Sequence, residues 1–136
     1  ELLRYVSNGG ALFVSGAYVG SDMQQPEERQ FLECVMKFTP GGSLRLTDNL
    51  VGGLGMTISY HHQLNEHHYA ATTTDILLPT SDSFAAMAYS DGNPAAVAYP
   101  GTNFRSFVMG FPFETIIDTQ QRNAVMKGIL SFLINN

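Results

Sequence analysis

The run Arg105-Ser106-Phe107-Val108-Met109-Gly110-Phe111-Pro112-Phe113-Glu114 constrains this chain more than any other stretch. Phe107, Val108 and Met109 make a continuous apolar segment, as in a strand covered on both faces. Gly110 and Pro112 break it, and an amphipathic helical pattern follows at once. The stretch therefore reads as a buried strand ending in a turn that delivers one carboxylate, Glu114, to the strand's end. In α/β proteins that is where ligands are usually placed.

Upstream, Leu2, Leu3 and Val6 share one helical face, and Gly9-Gly10 stop the helix. Ala11 to Ser15 is a short apolar run bounded by glycine, which predicts a buried strand, and Gly16 to Asp22 is a loop. Pro26 opens a second helix with Glu27 and Glu28 in its first turn. Phe31, Cys34, Val35 and Phe38 supply its apolar face, and Pro40-Gly41-Gly42 is its expected end. Helix, strand, loop, helix is the pattern of a wound α/β sheet.

The middle changes character. Ser43 to Thr47 alternates as a strand, Gly52-Gly53-Leu54-Gly55 is flexible punctuation, and Met56 to Tyr60 alternates again. A turn around Asn65 would join that strand to His68-Tyr69-Ala70-Ala71 as a hairpin. Ile76 to Pro79 is a short apolar segment. Phe84 to Tyr89 and Ala95 to Tyr99 flank Ser90-Asp91-Gly92-Asn93-Pro94, which predicts two antiparallel strands, with Phe104 to Gly110 as a third. Asp118 caps the last helix with Gln121 at capping-box spacing. Val125, Ile129, Leu130, Phe132 and Leu133 form its inner face. The expected architecture is α/β, with helices flanking the sheet and an added antiparallel section.

At 136 residues and 44% hydrophobic content the chain is expected to form a single domain over residues 1–136 with a real core. Its start inside a helical pattern suggests a fragment of a larger domain, whose partner is the remainder of the parent polypeptide. A net charge of −5 with only 7 Lys+Arg and no basic run argues against nucleic acid and against an anionic membrane surface. No apolar stretch is long enough to span a bilayer. Cys34 is the sole cysteine, which excludes an internal disulfide and thiolate-rich zinc sites. On the helix face beside Phe31 and Val35 it reads as a buried structural thiol. Low charge with abundant small polar residues points to a secreted or periplasmic protein.

Three groups carry candidate chemistry. Gly16-Ala17-Tyr18-Val19-Gly20 follows the first strand with the spacing of a nucleophile elbow, but its central Tyr18 is a poor nucleophile because a phenol titrates near ~10. Beside Ser15 it reads as a glycine-rich loop at a strand end. His61-His62-Gln63-Leu64-Asn65-Glu66-His67-His68 would bring His62 and His67 together across a hairpin, with Glu66 adding an oxygen. Adjacent histidines on a strand point to opposite faces, however, so a solvated polar tip is expected and no metal. Glu114 and Asp118 could form an acid/base pair, although Asp118 suits helix capping. Tyr18, Tyr60, Tyr69, Tyr89 and Tyr99 could stack on sugars or serve as half-buried sheet residues. No catalytic residue is assigned, Tyr18 and Glu114 being the candidates weighed, and the candidate binding residues are Ser15, Tyr18, His62 and His67. No cofactor is expected.

Two stretches together resemble a known family. Leu3-Arg4-Tyr5-Val6-Ser7-Asn8-Gly9-Gly10-Ala11-Leu12-Phe13-Val14-Ser15-Gly16 resembles the helix-Gly-Gly-strand unit of class I glutamine-amidotransferase-like domains. Phe111-Pro112-Phe113-Glu114 is similar to the Phe-His-Pro-Glu signature that carries two members of their Cys-His-Glu triad. Gly9 to Asp22 and Val108 to Ile116, with Arg122 and the final helix, look like exported, xanthan-lyase-related proteins of Bacteroidetes type. The resemblance implies a flavodoxin-like, amidotransferase-like wound sheet, of which this chain would be the C-terminal half.

The departures decide the expected activity. Tyr18 or Ala17 stands at the nucleophile position and Pro112 at the histidine position, so only Glu114 of the triad remains. A glutamate that orients a histidine does nothing without it. The resemblance therefore implies a non-catalytic domain of a secreted protein associated with polysaccharide processing, with carbohydrate as a possible partner. The alternatives are a polysaccharide lyase or hydrolase module using Tyr18, Glu114 and the His61–His68 segment, and a protein-interaction domain.

Overall fold

A computed structural model describes residues 1–45, 48–63 and 70–134. Strands β1 (Ala11–Ser15), β3 (Leu50–Gly53), β4 (Met56–Ser59), β6 (Phe84–Tyr89), β7 (Pro94–Tyr99) and β8 (Arg105–Met109) form one six-stranded sheet. Its order is β1-β8-β7-β6-β3-β4. β2 (Phe38–Leu44) and β5 (Thr74–Pro79) form a separate antiparallel pair. Helices α1 (Leu2–Ser7), α2 (Pro26–Phe31) and α3 (Thr119–Ile134) complete the chain.

The α/β class and the added antiparallel section are as expected, but the described strands do not confirm a flavodoxin-like wound sheet. β1 and β8 are the one parallel pair among the described strands, and every other pairing is antiparallel. The reason lies in the connections. A parallel sheet needs a helical crossover between strands, whereas β3 to β4, β6 to β7 and β7 to β8 are joined by short turns. At the first turn Leu54 and Gly55 take φ of 54° and 77°, the two positive angles of a primed hairpin turn. The Gly52–Gly55 stretch is therefore half strand and half tight turn. Leu54 accepts that strained angle with its side chain packed over Gly128 of α3.

Alternation along the central strands divides the interior in two. Phe107 and Met109 of β8 and Ala96 and Ala98 of β7 join Val125 and Ile129 of α3 in the larger core. Val108 and Val97 point the other way, to Leu32, Met36, Phe38 and Leu77. The strand read from Phe107 to Met109 is covered on both faces, as its uninterrupted apolar run requires. Ala11 to Ser15 forms its strand as well, but half-buried throughout, because β1 lies at the sheet edge.

The second helix departs most from its pattern. Pro26 opens it, and Glu28 reaches back to accept the Gln25 backbone N–H at 3.1 Å. It loosens to a π turn over Leu32–Met36, and Lys37 then turns the chain with φ 63°. Phe38 is thus not the helix's last apolar residue but the first of β2, which runs through Pro40-Gly41-Gly42. The π turn buries Leu32, Val35 and Met36 and leaves Cys34 exposed, so the buried-thiol reading is corrected.

α1 buries only Val6, leaving Leu2 and Leu3 on the surface. Asp118 caps α3 by accepting from the Gln120 and Gln121 backbones at 2.7 and 3.2 Å. The Gln121 side chain does not complete a capping box. It reaches β4, donating to the Thr57 carbonyl at 2.8 Å. Leu130, assigned to the inner face, is exposed. Leu46, Thr47 and the proposed hairpin tip at 64–69 lie outside the described residues.

Candidate functional site

Because β1 and β8 run parallel, their C-terminal ends open on the same side of the sheet, and most of the sequence-predicted residues collect there. Gly16 N–H donates to the Met109 carbonyl at 3.3 Å. Ser15 Oγ accepts the Phe113 backbone N–H at 3.1 Å. Ser15 thus works as an anchor for the turn after β8. That turn continues as a short 3₁₀ segment, Phe113–Thr115, closed by Thr115 N–H and Oγ1 onto the Pro112 carbonyl.

The histidine segment packs against this turn. His61 N–H donates to the Thr115 carbonyl at 2.7 Å, and Tyr60 bridges to Ile116. Residues 61–62 are therefore fixed beside Glu114 through the backbone. His62 is half-buried with its ring edge-on to Tyr60 at 6.5 Å. Glu114 itself is exposed, and among the described residues no hydrogen bond or ion pair is made by its carboxylate. Tyr18 is also exposed, in the loop after β1. His67 lies outside the described residues.

Asp118, offered as a partner for Glu114, is occupied as a helix cap. Among the described residues, no three His, Cys, Asp or Glu side chains gather as metal ligands would. Of the tyrosines, Tyr60 and Tyr89 are in the core and Tyr99 stacks on Phe104 at 4.9 Å. Tyr69 lies outside the described residues. Tyr18 is exposed, as is Tyr5 of α1.

A second carboxylate, not foreseen from sequence, organises this end of the sheet. Asp75 is the second residue of β5 and is only 2% exposed. Its Oδ2 accepts the Gly20 and Ser21 backbone N–H groups, both at 2.9 Å, and its Oδ1 accepts Ser43 Oγ at 3.1 Å. These bonds to a charged group offset the cost of burying it. Asp75 N–H donates to the Gly110 carbonyl at 3.0 Å, and the Asp75 carbonyl accepts Tyr89 Oη at 2.7 Å. One residue thus ties the β1 loop, β2, β6 and the end of β8 together. Its only sequence signal is an acidic residue heading the apolar run Ile76 to Pro79.

Beside Asp75 is a cavity of about 220 Å³, with Ser21, Gln24, Arg29 and Ser43 around it. Arg29 Nη2 donates to Gln24 Oε1 at 2.8 Å, and the Gln24 amide donates to the Ser21 carbonyl. Ser21 Oγ is shielded from solvent without a partner among the described residues. Below, burial pushes the Tyr60 and Tyr89 phenols up. The Asp48 charge adds to this at Tyr60, and the charges of Asp75 and Asp91 add to it at Tyr89. A hydrogen bond with Thr74 works the other way at both. Neither phenol ionises near neutrality, so neither serves as a base there.

Glycoside cleavage needs two carboxyl groups facing each other across a bond, roughly 5 to 10 Å apart. Here Asp75 accepts from its loop and Asp118 from its helix, and neither is shown facing Glu114 across such a gap. Phe111 and Pro112 have structural roles too. Both are buried, and Phe111 packs between Tyr60 and Tyr89 at 5.3 and 6.4 Å. The motif Phe111-Pro112-Phe113-Glu114 is explained by core packing and a turn.

No family model and no curated relative matches the chain. Among solved structures it is similar to the β-galactosidase from the Antarctic haloarchaeon Halorubrum lacusprofundi, at TM-score 0.65 and 18% identity over 97% of this chain and 19% of that one. It is similar to a β-galactosidase from Bacillus circulans sp. alkalophilus, at TM-score 0.63 and 13% identity over 96% of this chain and 20% of that one. It also matches an exo-β-1,4-mannosidase from an Opitutaceae bacterium, strain TAV5, at TM-score 0.58 and 11% identity over 96% of this chain and 21% of that one. These matches overturn the resemblance to class I glutamine amidotransferases and to xanthan-lyase-related proteins. The chain spans about a fifth of the length of the structures it matches, and it has the fold of one part of these glycosidases.

Proposed function

We propose that this chain is one module of a longer carbohydrate-processing protein, and that it supports the handling of sugar without cleaving glycosidic bonds by itself. The carbohydrate half of the reading is supported by the match of nearly the whole chain to part of several β-galactosidases and a mannosidase. The observation that carries the second half is the state of the carboxylates. One oxygen of Asp75 and one of Asp118 are each taken by two backbone N–H groups, which fixes both to their own loops, and no described contact pairs either with Glu114. A secreted or periplasmic setting, where polysaccharide is met, goes with this reading.

The test is an assay of the chain on aryl β-galactosides and aryl β-mannosides, together with electrophoresis through gels carrying β-galactan or β-mannan. Retardation by at least one polysaccharide and no hydrolysis is expected. Retardation by neither refutes the carbohydrate half. Hydrolysis abolished by Glu114→Gln refutes the supporting role.

That last outcome would establish the second reading, a hydrolase or lyase module centred on Glu114 with Tyr18 and His62. The His61 to Thr115 hydrogen bond favours it, since it brings the histidine segment next to the turn that carries Glu114.

A further inference from the structure

We propose that the cavity beside Asp75 is a binding site for a single sugar ring, held through neighbouring hydroxyls by Ser21, Arg29, Ser43 and Asp75. The inference rests on the carbohydrate reading above and adds a site that none of the strand-end candidates Ser15, Tyr18, His62 or Glu114 belongs to.

The donor and acceptor pattern of the walls makes the case. Asp75 is buried, but only one described hydrogen bond falls on its Oδ1, from Ser43. A carboxylate oxygen has two lone-pair directions, so Oδ1 still has one acceptor position. Ser21 Oγ is enclosed and without a described partner, and such hydroxyls are rarely left unmatched. One guanidinium nitrogen of Arg29 is bonded to Gln24, which aligns the group and leaves further N–H donors. The walls thus combine two acceptors, Asp75 Oδ1 and Ser43 Oγ (whose one proton goes to Asp75), with the Ser21 hydroxyl that can do either and the Arg29 donor. A ligand whose groups both give and receive satisfies such a set, and the hydroxyls of a polyhydroxylated ring are of that kind.

Charge and size narrow the class. Asp75 and Arg29 offset each other, which suits an uncharged ligand. An anion would meet the Asp75 carboxylate, whose other oxygen is already bound to two N–H groups. A hard divalent cation would meet the guanidinium and would need about six oxygen ligands. The volume of about 220 Å³ equals about seven waters and falls short of the ~300 Å³ at which drug-sized pockets begin, which limits the occupant to one ring. Pro40 gives the lining an apolar side for the ring's C–H groups.

The site is tested by titrating the ¹⁵N-labelled chain with D-galactose, D-mannose and D-glucose to concentrations on the order of 100 mM, the range in which weak sugar affinities saturate. Saturable shifts at the Ser21, Ser43 and Asp75 amides are expected. Ser21→Ala and Arg29→Met should each weaken binding at least about five-fold, the loss of one hydrogen bond. Both keep the Asp75 bonds to the loop backbone, so their spectra should otherwise stay native. No saturable shift at those amides overturns the site, as does unchanged affinity in both variants. Movement of the same amides by phosphate or Ca²⁺ at lower concentration also overturns it. If sugars shift Tyr18 and His62 but leave Ser21 and Asp75 still, the cavity fails and the carbohydrate reading stands. If neither the sugars nor the polysaccharide gels register, both fail.

Discussion

Replacing Gly110 by alanine probes the junction on which the strand ends depend. A Cβ at this position would lie 2.3 Å from the Asp75 carbonyl oxygen and 3.0 Å from Tyr89 Oη. An ordinary contact is about 3.4 Å, so something must move by roughly 1 Å, and the obstruction is backbone inside a packed interior. Overfilling of this kind costs about 1–3 kcal/mol. Displacing the Asp75 carbonyl also breaks its 2.7 Å bond from Tyr89 Oη, leaving a buried donor and acceptor unmatched for about 1–3 kcal/mol more. A total of roughly 2–6 kcal/mol follows, equivalent to a fall in Tm of roughly 6–24 °C for a domain of this size. With no tryptophan in the chain, circular dichroism is the appropriate monitor. Gly52→Ala is the control, since no atom lies within 4 Å of its Cβ. A Gly110→Ala protein melting within about 3 °C of the parent would refute the reasoning, because the clash would then have been relieved at almost no cost.

The remaining predictions concern the phenols and the thiol. Tyr60 and Tyr89 have raised pKa values in the folded chain, while an unfolded tyrosine ionises near ~10. Their contribution to stability is complete below pH ~10 and is lost as pH rises from there toward the folded values, at up to about 1.4 kcal/mol per pH unit for each phenol. Urea unfolding of Tyr89→Phe across pH 9 to 11.5 should therefore show a shallower alkaline decline than the parent, and equal slopes would contradict the burial argument. Cys34 lies on the surface, so a thiol reagent such as dithiobisnitrobenzoate should titrate it fully in the native chain. Reaction only after denaturant is added would return it to the core.

The strands that sequence exposes well are those whose signal is local. β8 announces itself by Phe107-Val108-Met109, and the β6–β7 hairpin by Asp91-Gly92, where Gly92 does take φ 90°. β2 stayed hidden because Phe38 continues the spacing of Phe31, Cys34 and Val35. The break is made instead by Lys37, a residue with no reason in its own chemistry to adopt φ 63°. Pro40 then looked like a helix stop. In a two-stranded pair one side of each strand makes no ladder bonds, so a proline can be accommodated.

Fold-level error had a different origin. Two short glycine-flanked segments resemble an amidotransferase, but strand order depends on which distant segments pair, and nothing near Ala11 shows that its neighbour is Arg105. Asp75 was invisible for the same reason: the N–H groups it accepts lie 55 and 54 residues away. Ser15, the turn carrying Glu114 and the start of the histidine segment meet at one end of the sheet, and Asp118 caps α3 as its position before Gln121 suggests.

β1 has a further consequence, for the order of assembly. Its ladder partner is β8, and the Ser15 to Phe113 bond closes a span of 98 residues. The antiparallel neighbours β6, β7 and β8 are joined by short turns and can zip together locally, whereas β1 must cross most of the chain to find its place. Loop-closure entropy makes such a contact late. During synthesis the edge of β8 stays uncovered by β1 only briefly, but β1 itself waits, apolar and unpaired, until β8 has emerged. Pulse-labelled hydrogen exchange should therefore protect Ala96 to Ala98 before Leu12 to Val14, and the reverse order would show that the edge strand leads.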